Sequence, residues 1–447
     1  MRILRTCALL ACLALVATIL PPTIANSATT QTGTYHPLTS TRLLDTRNGT
    51  GVLTAGPLGA GGTLQLQVSG RGGVPTTGAA AVVVNLTVTG GSANGFLTAY
   101  PSGVTRPGVS SINFVAGSTR ANIATVTLGS GGKVAIFNAA GSVSVLVDVV
   151  GYYASSASTS TTGNEFDTYG PDRLTDTRTS SEGSLAAHQI LSLFVDFSDG
   201  AANTYVKALA VNITAVGATG SGFLSAFDGG PTLPKTSTLN FAPSTAIANM
   251  AVVKTALCTD CSAPPYPVQF AVMNGSSASV HVIVDLVGIY YNDATVGLRF
   301  HPLTSPVRIS DSRKALNGHP LTAGQTQALT APSTVATTGT KALVSNVTAV
   351  TPTSSTFFKL WASGDPVPPV SNLNAPAHSI VANGAVIPLS STRGFSLFNA
   401  AGTSDFLVDV TGRFDVGPLT SALSRTVRTH TFGTPSTTTR RESVSRR

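Results

Sequence analysis

The apolar positions along the chain fall in short runs. Residues 81–84, 123–128, 133–137 and 143–149 are rich in β-branched side chains and bounded by Gly, Asn or Ser. That is the signature of strands. Turn clusters such as Gly129-Ser130-Gly131-Gly132 punctuate them. No long stretch repeats apolar residues at helical spacing. The pattern predicts an antiparallel β protein.

The same pattern occurs three times. Each copy opens on an Arg-x-x-Asp-(Thr/Ser)-Arg box: Arg42-Leu-Leu-Asp45-Thr-Arg47, Arg173-Leu-Thr-Asp176-Thr-Arg178 and Arg308-Ile-Ser-Asp311-Ser-Arg313. An apolar run ending in Asn-x-Thr follows, at Asn85, Asn212 and Asn346. Next comes an aromatic strand ending in Tyr100, Phe227 or Trp361. Further Asn residues recur at 113, 240 and 374, at 122, 249 and 383, and at 138, 274 and 399. Each copy closes on a strand containing Asp148, Asp285 or Asp409, with a Gly three residues later. The boxes are 131 and 135 residues apart, which marks domain duplication. The fold class expected is all-β: three tandem antiparallel β-sandwich-like modules at 35–153, 166–291 and 298–414. A small barrel fits the same alternation, so the pattern leaves sandwich and barrel both open. The Ser/Thr-rich residues 154–165 predict a flexible linker. The shorter joint at 292–297 predicts a more fixed second geometry.

Composition sharpens this picture. The chain is 42% hydrophobic and 10% charged, which excludes a disordered polyelectrolyte. Residues 1–27 read as a secretory signal peptide, with Arg2 and Arg5 before an apolar run and small residues at Ala25-Asn26-Ser27. Leu9-Leu10-Ala11-Cys12 weakly resembles a lipoprotein acylation box, but cleavage there leaves an apolar mature end. No later run is long enough to span a membrane. Residues 415–447 carry six Arg against Asp415 and Glu442 and predict a disordered basic tail. The net charge of +8 is unevenly spread. Residues 161–295 hold eleven acidic and five basic side chains, whereas the flanking modules and the tail are basic. This is not a nucleic-acid stripe.

The Arg-Leu-Leu-Asp-Thr-Arg box, the Val-Val-Asn-Leu-Thr strand, the Gly-Phe-Leu-Thr-x-Tyr-Pro strand and the closing Val-Asp-Val-x-Gly-Tyr-Tyr resemble a tandem repeat module of secreted actinobacterial proteins. The resemblance runs from Tyr35 to Phe414. It implies an extracellular or cell-envelope β module and no established catalytic residues. The second copy departs most, with 166–171 replacing the Tyr/Phe-His-Pro-Leu-Thr start and an insertion around 258–267.

Candidate chemistry is sparse. Asp148, Asp285 and Asp409 lie among apolar neighbours and need cationic partners. Ion pairs with Arg42, Asp45 and Arg47, with Arg173, Asp176 and Arg178, and with Arg308, Asp311 and Arg313 are expected, with Arg47 as a bidentate partner of Asp148. An exposed Arg there would instead form a carboxylate- or sugar-binding notch. Tyr100, Phe227 and Trp361 are core residues or, if exposed, sugar-stacking rings. The recurring Asn residues suit turns and backbone capping. Cys258 and Cys261 suit a local disulfide in an exported protein. Catalytic, phosphate-binding and calcium-loop motifs are absent, and no cofactor or metal is expected. The expectation is a secreted, non-catalytic surface or cell-wall protein. A carbohydrate-binding array is the alternative, with a wall polymer or glycan as partner.

Overall fold

The computed structural model describes residues 31–197, 202–261, 266–293, 296–417 and 435–443. The expected signal peptide lies outside them. Among the described residues there is no α-helix and no helix long and apolar enough to cross a membrane.

Module 1 contains eight strands: β1 (Tyr35–Asp45), β2 (Thr63–Gln67), β3 (Ala79–Thr89), β4 (Gly95–Pro101), β5 (Ile112–Phe114), β6 (Arg120–Thr127), β7 (Lys133–Asn138) and β8 (Ser144–Ala154). They form two antiparallel sheets of order β1-β8-β3-β6 and β2-β7-β4-β5. Two four-stranded sheets in that order are a jelly roll, so the duplicated unit is a sandwich and not a closed barrel. Module 2 repeats it with β9 (Glu165–Asp176), β10 (Gln189–Asp196), β11 (Val206–Val216), β12 (Gly222–Phe227), β13 (Leu239–Phe241), β14 (Ile247–Lys254), the extra β15 (Ala256–Leu257), β16 (Val268–Asn274) and β17 (His281–Tyr291). Module 3 uses β18 (Leu298–Asp311), β19 (Thr326–Thr330), β20 (Thr340–Val350), β21 (Thr356–Ala362), β22 (Leu373–Ala375), β23 (Ile380–Pro388), β24 (Gly394–Asn399) and β25 (Asp405–Val416). A last strand, β26 (Ser436–Ser443), adds to the free edge of β10 over eight residue pairs.

Alternation explains why β3, β11 and β20 read as continuous apolar runs. In β3, Val82, Val84, Leu86 and Val88 fill the core of module 1. Ala81 and Val83 point the other way, into a second core shared with Ala208 and Ala210 of β11 and Ala342 and Val344 of β20. Strands buried on both faces lose the polar half of their alternation. The three inner sheets therefore pack around one central axis. Three aromatic pairs join successive modules there. Ring centroids are 4.3 Å apart for Tyr35 and Tyr290, 4.2 Å for Phe166 and Phe414, and 4.1 Å for Phe300 and Tyr153. The repeated Gly of each closing strand makes room for them. A Cβ on Gly151, Gly288 or Gly412 would fall within the ring of Tyr35, Phe166 or Phe300, the close approach that places Gly inside a strand.

Two expectations are corrected. Residues 154–165 do not form a loose linker. Asn164 exchanges backbone hydrogen bonds with Tyr35 at 2.7 and 2.9 Å, and Glu165 opens β9. The ends of the two joints also meet: the buried Glu165 carboxylate accepts Arg299 Nε at 3.0 Å and Nη2 at 2.8 Å, and also the backbone N–H of Gly297. Finally, 436–443, expected to belong to a disordered tail, form β26, because β10 offers unpaired backbone groups and module 2 is acidic. Residues 418–434 and 444–447 lie outside the described residues.

Candidate functional site

The repeated charges form one linear relay per module. Antiparallel register places Arg42 opposite Asp148, Arg173 opposite Asp285 and Arg308 opposite Asp409. Arg42 donates from Nε to Asp148 Oδ1, from Nη2 to Oδ2 at 3.2 Å, and from Nη1 to Asp45 Oδ2 at 3.0 Å. Arg47 then clamps Asp45 through Nε at 2.9 Å and Nη2 at 2.7 Å. The bidentate partner of Asp148 is thus Arg42, not Arg47. Arg42 lies within the strand ladder, whereas Arg47 follows the strand and folds back on Asp45. Module 3 repeats the geometry, with Arg308 donating to Asp409 at 2.7 and 2.9 Å and Arg313 to Asp311 at 2.8 Å twice. In module 2, Arg173 reaches Asp285 Oδ1 at 2.6 Å and Asp176 Oδ2 at 3.0 Å, while Arg178 clamps Asp176 at 2.9 and 2.6 Å. Asp285 Oδ2 is buried without a hydrogen-bond partner.

Electrostatics separate the two carboxylates of each relay. Burial pushes Asp148, Asp285 and Asp409 upward, against the pull of their arginines, with Asp285 reaching about 6. Hydrogen bonds from Arg47, Arg178 and Arg313 hold Asp45, Asp176 and Asp311 below the usual carboxylate value. The outer guanidiniums turn two N–H groups inward. This is the geometry of a structural clamp rather than an outward-facing anion notch.

The recurring Asn residues divide into two sets. Asn138, Asn274 and Asn399 each donate to three backbone carbonyls of their own module, as capping predicts. The other set crosses between modules. Asn122 Nδ2 donates to Asn346 Oδ1 at 2.8 Å, Asn383 to Asn212 at 3.0 Å and Asn249 to Asn85 at 3.0 Å. The Oδ1 atoms of Asn122, Asn249 and Asn383 accept the backbone N–H of Gly384, Ile123 and Met250 at 2.9, 3.1 and 2.9 Å. Asn85, Asn212 and Asn346 donate onward to Ser237, Ser371 and Ser110 carbonyls at 2.6, 2.8 and 2.7 Å. The result is a closed, pseudo-threefold ring of Asn122, Asn383 and Asn249 joined through backbone N–H groups, each buried amide also donating to one outer Asn (Asn346, Asn212 or Asn85). Its only trace in the sequence is that these Asn residues recur within apolar strands.

The aromatic residues singled out as stacking candidates are interior. Tyr100, Phe227 and Trp361 are 7%, 9% and 6% exposed, and Trp361 Nε1 donates to the Asp365 carbonyl at 3.1 Å. Phe227 and Trp361 line clefts between successive modules. One, of about 390 Å³, runs between the start of β1 and the β12–β13 loop, with Arg42, Lys235 and Lys254 at its rim. The other, of about 370 Å³, lies between the start of β9 and the β21–β22 loop, with Asp172 and Asp365. The half-buried rings lie elsewhere. On the outer sheets, Phe96 and Phe137 are 6.5 Å apart beneath Arg106, whose Cζ is 3.8 Å from the Phe137 centroid. Phe357 and Phe398 are 6.2 Å apart beside Lys359. Met273 replaces the second ring in module 2. Sequence reasoning missed Phe137 and Phe398, although strand register pairs them with Thr98 and Lys359. Cys258 and Cys261 are disulfide-bonded, with Cα atoms 5.4 Å apart. No group of His, Cys, Asp and Glu among the described residues is arranged to hold a metal.

Fold and ring together define the class: a single-chain trimer of jelly rolls, fused around a buried amide ring. No protein-family model and no curated protein matches the chain. The solved structures that match over most of its length include two viral ones. One is Sulfolobus Turreted Icosahedral Virus, 9% identical, covering 87% of this chain and 92% of that chain with a TM-score of 0.17. The other concerns the triple jelly roll fold and turret assembly in an archaeal virus, 10% identical, covering 86% and 91%, also with a TM-score of 0.17.

Proposed function

We propose that the chain is a secreted, non-catalytic structural or adhesive protein of the cell surface or cell wall. The observation that carries this reading is where the repeated polar residues go. Arg42, Asp45, Arg47, Asp148 and their counterparts bind one another, and the repeated Asn residues bind backbone or one another. The repeated polar groups are thus spent inside the molecule, the charge relays within each module and one set of Asn residues between modules, rather than presented outward as ligands. The signal-peptide pattern and the resemblance to secreted repeat modules support the compartment. The test is fractionation of producing cells followed by pull-down of the purified protein on isolated wall. Recovery in the medium or on the wall is expected, and recovery in the cytosol refutes the reading.

A second reading, glycan binding, is favoured by Phe96–Phe137 beneath Arg106 and Phe357–Phe398 beside Lys359. Half-exposed ring pairs with a cation suit a sugar face. This gives two sites, on modules 1 and 3, rather than three. Binding to insoluble polysaccharide that one soluble sugar competes away, and that is lost in a Phe96→Ala/Phe357→Ala variant, supports it. Retention in that variant refutes it.

A further inference from the structure

Module 2 differs from its siblings at one edge. The outer-sheet edge strands of modules 1 and 3, β2 and β19, are five residues long and carry Thr63, Gln65 and Gln67, or Thr326, Ala328 and Thr330, on their outward faces. At the same register, β10 is eight residues long and carries Ile190, Ser192 and Phe194. A long apolar edge invites another strand. Here that strand is β26, paired from Gln189↔Ser443 to Asp196↔Ser436. Arg441 Nε donates to Glu182 Oε2 at 3.0 Å, Thr439 Oγ1 donates to Glu182 Oε1 at 3.1 Å, and the Arg440 guanidinium lies 5.6 Å from the Phe194 ring centroid. Glu182 belongs to the acidic module, and β26 to the basic end of the chain.

The attachment is selective but shallow. The sequence of β26, Ser-Thr-Thr-Thr-Arg-Arg-Glu-Ser, contains no apolar side chain, and none of its residues is fully buried. Ladder hydrogen bonds each contribute little net free energy, and ordering eight residues opposes them. Such a strand has little side-chain burial to hold it against exchange. Once it leaves, the edge of β10 accepts the same sequence from any other copy of the chain. Donor and acceptor are different surfaces, so a one-way link is head-to-tail, and a reciprocal exchange between two chains gives a swapped dimer.

We propose that β26 is an exchangeable donor strand and that the β10 edge is its acceptor on a second copy, linking chains through module 2. The proposal does not depend on the surface-protein reading. Register gives the test, because Ser192 lies opposite Arg440. Full-length chains carrying Cys7→Ser and Cys12→Ser receive either Ser192→Cys or Arg440→Cys, and the two are mixed under mild oxidation. Disulfide-linked heterodimer is expected. Its share should rise about tenfold for each tenfold rise in concentration while it remains the minor species. A chain carrying both substitutions should give closed monomer and linked multimers together. Two results overturn the proposal. If the double variant closes only on itself and the mixture stays unlinked at every concentration, β26 is a permanent latch. If neither links, β26 does not occupy this edge.

Discussion

Removing one amide of the central ring tests whether the three modules form a single cooperative unit. Asn249 is fully buried. Its Nδ2 donates to Asn85 Oδ1 at 3.0 Å and to the Thr238 carbonyl at 2.6 Å, and its Oδ1 accepts Ile123 N–H at 3.1 Å. Asn249→Ala removes three hydrogen bonds and leaves three polar partners in a water-poor interface. A typical net hydrogen bond is worth about 1 kcal/mol, and an orphaned buried partner costs about 1–3 kcal/mol. A loss of about 3–5 kcal/mol is expected, a large part of an ordinary domain stability of about 5–15 kcal/mol. Urea denaturation followed by far-UV circular dichroism measures it. Small-angle scattering reports whether the modules separate. Asn113→Ala is the control, because Asn113 accepts only Ser110 Oγ within its own module among the hydrogen bonds found. It should cost about 1 kcal/mol or less. Pseudo-symmetry adds a sharper demand: Asn122→Ala and Asn383→Ala should cost about as much as Asn249→Ala. A cost below about 1 kcal/mol for Asn249→Ala, or equal costs for ring and control, would refute the reasoning.

Gly288→Ala forces a methyl group into the Phe166 ring, and overpacking of this kind should cost about 1–3 kcal/mol by thermal unfolding. Asp285 titrates near pH 6 when folded, above its unfolded value of about 3.9. The folded state therefore binds its proton first, and this group's contribution to stability grows as pH falls from about 7 to 4. Asp45, Asp176 and Asp311 act in the opposite sense, losing their contribution as pH falls below the unfolded value. The wild-type stability–pH profile should thus lie below the Asp285→Asn profile at pH 7 relative to pH 4, by on the order of 1–3 kcal/mol, and parallel profiles would contradict the assignment. Trp361 is buried and hydrogen-bonded, so its emission should be blue-shifted, resist acrylamide quenching and ignore added glycans. Reduction should open only the four-residue Cys258–Cys261 loop, at a cost of about 2 kcal/mol or less.

The sequence alone determined the repeat, the strands and the charge pairs. Runs such as 81–84 and boxes such as Arg42-Leu-Leu-Asp45-Thr-Arg47 are local in period and repeated in triplicate. Strand register then decided that Arg42, five residues nearer the strand start than Arg47, reaches Asp148. Tertiary structure alone decided what lies between the modules. A buried Asn that caps its own turn and one that bonds a neighbouring module look alike in sequence, since both are Asn beside apolar residues. Only the packing of three inner sheets separates Asn138 from Asn122. The same holds for Glu165 and Arg299, which are 134 positions apart and read as linker and strand start until the modules close around them. The docking of β26 was half legible. Its opposite charge to module 2 and the apolar face of β10 are written in the chain, but the pairing is long-range, and backbone hydrogen bonds leave no side-chain signature.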